Sequence, residues 1–473
     1  MSDPNRITSL QMHTTPVLKH INELDSNEMT GWKNILDYTC IALLALYLLV
    51  LPAGRIGLIL TIAILVIKLL ITNNITRGLY FIYFGATTLG MLSDLFGYSG
   101  IGGKVSIVVA LLFLYNSANL VEIIYRLKAP LVALTWASLI LLLFYFYGPM
   151  SSYCSGKLIY TVINGLLFLI MFYIMFNDPS VNWLQLGQLG ILSSYVFLAS
   201  GLIIMPEMKP GHIFDIGVIR LTWVELKGGV DALALRNDLS FLASFGLIIM
   251  VSAYVDKHMT KSELIKIMFY SFISLNMLFW SGARLPIISI IAAVAVIPLS
   301  RPKYMARYTL MSFSILGITA LYIVYSSFLD INFIATLFDS AEPLLTRLNR
   351  STNWIGGYER FLEKPLLGHG LGGFFIEGYS WPGWGTYPHN LFIELLSEMG
   401  IIGTFIFIAP LLLLKASFGK ETALIRAQSG SVILPLFIMH FLQAMISFDL
   451  RRSIAVFALI GSIYAVNKMR QNR

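Results

Sequence analysis

The chain has little charge and almost no cysteine. Asp, Glu, Lys and Arg together make up 12% of its 473 residues, about half the share of a soluble domain. The charges gather between long apolar runs, which excludes a soluble enzyme. Only two cysteines occur, Cys40 and Cys154, both beside or within apolar runs. They form no ligand cluster, so neither a metal nor a redox centre is expected. Both read as small apolar fillers. Several motifs are missing too: Walker A, H-E-x-x-H, G-x-S-x-G, and any D-x-D pair of the kind that holds a metal-bound nucleotide sugar. Asp330 with Asn332 is the nearest approach to the last. No internal repeat and no low-complexity tract stand out.

What is present is apolar sequence. Hydrophobic residues make up 57% of the chain, and the mean hydropathy is +0.76. The expected architecture is an all-α polytopic membrane protein with about 14 transmembrane helices (roughly 12–14), since about 20 apolar residues cross a bilayer. The expected spans are 35–52, 55–72, 78–97, 105–125, 130–148, 157–176, 184–205, 239–256, 263–282, 285–299, 307–329, 389–414, 430–448 and 452–467. The chain thus divides into an N-terminal segment (1–34), N-terminal membrane helices (35–205), a first long loop (206–238), central helices (239–329), a second long loop (330–388) and C-terminal helices (389–473).

The net charge of +8 does not require nucleic acid. Excess Lys and Arg in a membrane protein record which loops stay cytoplasmic. Residues 1–34 carry Asp3, Glu23, Asp25 and Glu28 and no apolar core, so no signal peptide is expected there and the segment reads as cytoplasmic. With that start, the inner side holds Arg126 and Lys128, Lys257, Lys261 and Lys266, Arg301, Lys303 and Arg307, Lys415, Lys420 and Arg426, and Lys468, Arg470 and Arg473. The short outer loops hold only Arg55, Lys104, Lys157, Arg284, Arg451 and Arg452. Both long loops, which are expected to carry short helices, then lie outside. In a bacterium that side has no ATP pool, so a bond-forming reaction there needs an activated substrate.

The second long loop is rich in aromatics: Trp354, Tyr358, Phe361, Trp381, Trp384 and Tyr387. They suit stacking on sugar faces, and equally suit an interfacial belt. Residues 343–364 have helical spacing, consistent with a short helix lying on the membrane. GHGLGG at 368–373 follows no strand, so it reads as a turn, with Pro365 ending the preceding helix. His369 within it reads as a loop residue.

Several residues carry candidate chemistry. Arg284, in SGARLP, lies near a helix start that Pro286 can open; it either builds an anion site there or snorkels to head groups. Arg220 precedes Trp223 in the first long loop and is either functional or solvated. Arg347 and Arg350 share a face if helical, and can grip a diphosphate together or face water. Arg451 and Arg452 beside Asp449 read as a loop ion pair.

The stretch YPHNLFIELLSEMGIIG, 387–403, is the most pointed. Asn390, Glu394 and Glu398 are four apart and line one stripe. Each carboxylate costs roughly 2.5–3.5 kcal/mol at the centre of a membrane helix, so the stripe should face protein or a wet cavity. His389 at the helix mouth can take a proton from a hydroxyl, or sit idle at head-group level.

His389-Asn390, nine residues, then Gly400-x-x-Gly403 resembles the signature of the O-antigen ligase and O-antigen polymerase superfamily. SGAR at 281–284 resembles the family's S-G-S/A-R stretch. The run from Trp354 through Phe361 to KPLLGHGLGGF resembles the family's segment ahead of that His. Together these cover roughly residues 210–405. The resemblance implies an inverting, metal-independent glycosyltransferase of the bacterial inner membrane, working on the periplasmic side without a cofactor. Its donor would be an oligosaccharide on undecaprenyl diphosphate; its acceptor, a lipid-linked or lipid A–core glycan. Arg220 and Arg284 would hold the diphosphate, with Arg347 and Arg350 as further candidates. His389 would serve as base, and Asn390, Glu394 and Tyr358 would support it. Membrane lipids and other polysaccharide-assembly proteins are the expected partners; nucleic acid is not. Polymerase is the first reading and ligase the second, followed by a protein-glycosylating member. A flippase-like transporter is disfavoured, since neither internal repeats nor paired broken helices are evident.

Overall fold

The computed structural model describes residues 55–95, 101–117, 119–204, 230–256, 260–281, 353–374, 387–416, 430–446 and 449–471, with isolated positions at 35–42 and 286–293. Among the described residues the chain is all-helical, with no strand.

The N-terminal bundle begins with α1 (Arg55–Ile71) and α2 (Asn74–Tyr80). Asn73 caps α2 by accepting from the Thr76 N–H at 2.8 Å. A single π-helical turn, Phe81–Gly85, carries α2 into α3 (Ala86–Leu95). Next come α4 (Ile101–Ser117) and α5 (Leu120–Arg126). The expected span 105–125 is therefore two helices, set at 97° to each other. Its polar step explains the break: the Asn119 side chain accepts from the Glu122 N–H and starts a new helix.

Two long hairpin arms follow, α6 (Lys128–Tyr147) and α7 (Ser152–Asn177), then α8 (Trp183–Ile204), α9 (Val230–Asp256) and α10 (Lys261–Ser281). Helix α9 starts inside the stretch read as loop, because DALALRNDL is rich in helix formers despite its charges. A short helix, α11, occupies 353–363, within the 343–364 window. The C-terminal part holds α12 (Leu391–Ala416), α13 (Gly430–Ile446) and α14 (Leu450–Gln471).

Among the described residues, three helices are long and apolar enough to cross a membrane: α6, α7 and the Leu391–Leu414 part of α12. The bent pair α4–α5 makes a fourth if it counts as one span. Shorter apolar helices run over Gly57–Ile71, Leu239–Ser252 and Val432–Ile446. The stretches 205–229 and 294–352, most of 35–52 and part of 285–293 lie outside the described residues.

Packing between apolar helices in lipid relies on close approach rather than on water exclusion. Helices α8 and α9 meet at Gly187 and Gly246; a Cβ on either would stand 2.8 Å from the other's carbonyl oxygen. Helix α14 lies along α7, and α12 along α6. Leu141, Leu371, Leu395, Met399, Phe407 and Ile454 form the core of this second group. Its helix ends at 148–152, 387–391 and 449–450 position the site.

Candidate functional site

Helix α12 is built in two pieces. Its entry is capped by Asn390, whose Oδ1 accepts from the N–H groups of Phe392 at 3.0 Å and Ile393 at 3.1 Å. Just ahead, His389 adopts φ +56°, a left-handed conformation that costs most residues energy and that His tolerates better than most. The His389 ring lies 4.2 Å from that of Tyr387. Asn390→Ala should cost about 0.5–2 kcal/mol, the usual penalty for a lost cap, read as a lower melting temperature in detergent.

The second piece begins at Gly400, with φ 63° and ψ −171°. The helix ladder is broken there, and the loop 365–370 repairs it. The freed carbonyls of Ser397 and Glu398 accept from the His369 N–H (3.0 Å) and the Gly370 N–H (2.8 Å). The freed N–H groups of Ile401 and Ile402 donate to the carbonyls of Pro365 (2.8 Å) and Leu366 (3.1 Å). The two ladder bonds these four groups would share within the helix are thus replaced by four between loop and helix, so each of the four keeps a partner in an apolar setting. The fit is backbone to backbone. A Cβ on Gly400 would meet the Leu366 carbonyl carbon at 2.3 Å, and one on Gly370 would meet Gly148 Cα at 2.2 Å. GHGLGG is therefore more than a turn: it is the counterpart of the broken helix. His369 holds it to α11, its Nε2 lying 2.9 Å from the Arg360 carbonyl and 3.3 Å from Glu363 Oε2. Gly400→Ala should cost at least the roughly 1–2 kcal/mol of a left-handed residue, and more through the backbone clash. The expected readout is loss of monodisperse protein on size-exclusion chromatography.

Farther along α12, Pro410 has no N–H for the Ile406 carbonyl. The Trp136 indole of α6 supplies one at 3.0 Å.

Below the mouth, the carboxylate stripe finds its cation. Lys157 of α7 is fully buried, as are Glu394 and Glu398. Its Nζ donates to both oxygens of Glu398, at 2.6 and 2.7 Å, and pairs with Glu394 Oε1. The Tyr153 ring lies 6.0 Å from Lys157 Nζ and 5.4 Å from the Arg451 guanidinium. Arg451 is paired with Asp449, which is buried. Asn164 of α7 donates to the Arg451 carbonyl at 3.0 Å, tying the start of α14 into the same place. Burial pushes the Tyr387 phenol well above its usual range, with Asp449 adding to the effect and Arg452 opposing it. Tyr387 thus stays a neutral hydroxyl beside His389.

Of the residues singled out in sequence, the structure brings together His389, Asn390 and Glu394. Tyr358 is 57% exposed on α11. That helix packs through Gly357, where a Cβ would meet Ile393 at 2.4 Å and Pro388 at 3.3 Å. Trp354, Ile355, Tyr358 and Leu362 turn outward from it, as a helix lying at a membrane surface requires. Arg220, Arg284, Arg347 and Arg350 lie outside the described residues. Cys154 is a free, buried thiol. Among the described residues no group of three His, Cys, Asp or Glu side chains is placed to hold a metal ion.

Sequence reasoning missed Lys157, Tyr153 and the place of the Asp449–Arg451 pair. Lys157 reads as a short-loop lysine because the apolar run begins beside it; α7 in fact starts five residues earlier, at Ser152. One signal was available: two carboxylates on one membrane stripe call for a cation from another helix.

An all-helical, apolar bundle with a buried charged cluster and an imidazole at one end defines a membrane protein with a polar site at a helix mouth. Comparison adds a likeness: residues 269–408 match the family model described as O-antigen ligase. That match places the stretch in the O-antigen ligase and polymerase superfamily, whose members are glycosyltransferase-like membrane enzymes. It spans SGAR, the docked glycine loop and the His389 mouth, and leaves Tyr153, Lys157, Asp449 and Arg451 outside. No curated protein matches the chain, and no solved structure does.

Proposed function

We propose that the protein is a surface-polysaccharide polymerase of the bacterial inner membrane. It joins oligosaccharide repeat units carried on undecaprenyl diphosphate, on the periplasmic side, with inversion and without a metal. The observation that carries this reading is the His389 mouth: an imidazole on a left-handed turn, ahead of a capped half-helix whose own carboxylates are held by Lys157 from behind.

The chemistry follows from the groups. The acceptor hydroxyl gives its proton to the His389 imidazole. Its oxygen attacks the anomeric carbon on the face opposite the lipid diphosphate. The bond to the diphosphate breaks, and the leaving group keeps the electron pair. Negative charge builds on the diphosphate, so fixed cations aimed at it lower the barrier. Arg284 and Arg220 take that part, with Arg347 and Arg350 as additional diphosphate ligands. Asn390 fixes the mouth, and Tyr358 on exposed α11 is available to an incoming sugar.

The test uses purified protein in nanodiscs with a lipid-diphosphate oligosaccharide, without ATP or divalent metal. Chain elongation is expected; no transfer in any lipid contradicts the reading. A ligase is the second reading, favoured by the description of the matching family model. Deleting the protein and running the cell-surface glycolipid on a gel separates the two. Loss of a polymerase leaves single repeat units on the core. Loss of a ligase leaves bare core and lipid-linked polymer.

A further inference from the structure

The cluster below the mouth does not balance. One ammonium, Lys157, faces two carboxylates, Glu394 and Glu398, and all three side chains are at most 1% exposed. An unbalanced charge buried among apolar helices is costly, and a like-charged pair that close relieves itself by taking up a proton. Geometry says which carboxylate takes it. Glu398 receives two N–H bonds from Lys157 and a further backbone hydrogen bond from Gly372. Glu394 meets Lys157 through Oε1 alone, and its Oε2 is buried without a hydrogen-bond partner among the described residues. The Tyr153 hydroxyl is in the same condition, and it feels the charges of Lys157, Asp449, Glu394 and Glu398. Two unpartnered oxygens, one of them on the less well-served acid, mark where a proton is held and exchanged.

We propose that the Lys157–Glu394–Glu398 cluster binds one exchangeable proton, carried by Glu394, and so stays neutral beneath the site that receives an anionic donor. Both neighbours are needed for the argument. Glu398 is the ionised partner of Lys157. Glu394 is the carboxylic acid, in the same buried cluster as the Tyr153 hydroxyl. Without that proton the cluster would carry one net negative charge under a diphosphate, which repels it. This last consequence rests on the glycosyl-transfer reading; the protonation itself does not.

The charged and titratable groups around Glu394 are Lys157 and Tyr153 from α7, Glu398 from its own helix, Asp449 with Arg451 and Arg452 at the start of α14, and Tyr387 ahead of α12. Infrared difference spectroscopy of the full chain in nanodiscs, wild type minus Glu394→Gln, tests the proton directly. The expected result is loss of the C=O stretch of a buried protonated carboxyl, with its shift in deuterated buffer. Loss of carboxylate bands instead overturns the proposal. Melting temperature locates the proton. Glu394→Gln, an isostere of the neutral acid, should melt near wild type, whereas Glu398→Gln removes an ionised acceptor and should melt lower; the reverse order overturns the assignment to Glu394. In a transfer assay, the KM for the lipid-diphosphate donor should rise with pH in wild type as the proton is lost, and not in Glu394→Gln. If transfer is never seen, the spectrum alone decides the proposal and the functional reading fails separately.

Discussion

His389→Asn lowers glycosyl transfer about 100- to 10,000-fold, the usual contribution of a positioned general base, while leaving the melting temperature close to wild type. Asn is the informative choice. The position needs φ +56°, and Asn accepts left-handed backbone more readily than Ala. The helix cap from Asn390 is untouched. The variant therefore removes the imidazole without disturbing the mouth. Initial rates with the lipid-diphosphate donor, set beside a melting curve, separate the two effects. A rate within tenfold of wild type would remove His389 from the chemistry.

Lys157→Met destabilises the folded protein by about 3–5 kcal/mol, the cost of leaving buried charge without its partner. Met fills a similar volume, so lost packing contributes little. The two glutamates are left facing each other at zero and 1% exposure, and their backbone segment is the one that docks the glycine loop. The triple variant Lys157→Met, Glu394→Gln, Glu398→Gln should recover most of the loss, because a neutral cluster needs no counter-charge. Melting of the single and triple variants in one detergent measures this. Equal destabilisation of both would mean that Lys157 acts through its packing and not its charge.

Much of this site was legible before any coordinates. The spacing of Asn390, Glu394 and Glu398 puts them on one stripe, and the cost of carboxylates in lipid turns that stripe toward protein, which is where it lies. The spans at 130–148, 157–176 and 389–414 lie close to α6, α7 and the apolar part of α12. Other parts had no sequence signature. Lys157 sits 241 residues from Glu398, and nothing local says that the two meet. Pro365–Gly370 reads as a turn, and Gly400 as a point of close contact. Only the folded chain reveals that the backbone of one completes the broken ladder of the other. The 97° bend between α4 and α5 was hidden for a different reason: a single Asn119 outweighs an apolar run that otherwise has the length of a span.

The same comparison separates scaffold from chemistry. The family match ends at residue 408, yet α14 brings Asp449 and Arg451 to the mouth, and α7 brings Tyr153 and Lys157. The mouth is therefore an assembly of three helix ends, with the segment that matches the family model supplying His389, Glu394 and Glu398.

Whether that mouth opens to the outer face is measured most directly with a single thiol. In a chain with Cys40 and Cys154 replaced by Ala, His389→Cys is treated with a membrane-impermeant maleimide on intact spheroplasts. The account predicts labelling from outside, blocked by a lipid-diphosphate oligosaccharide. Labelling only after the membrane is inverted would place the imidazole on the cytosolic side and contradict it.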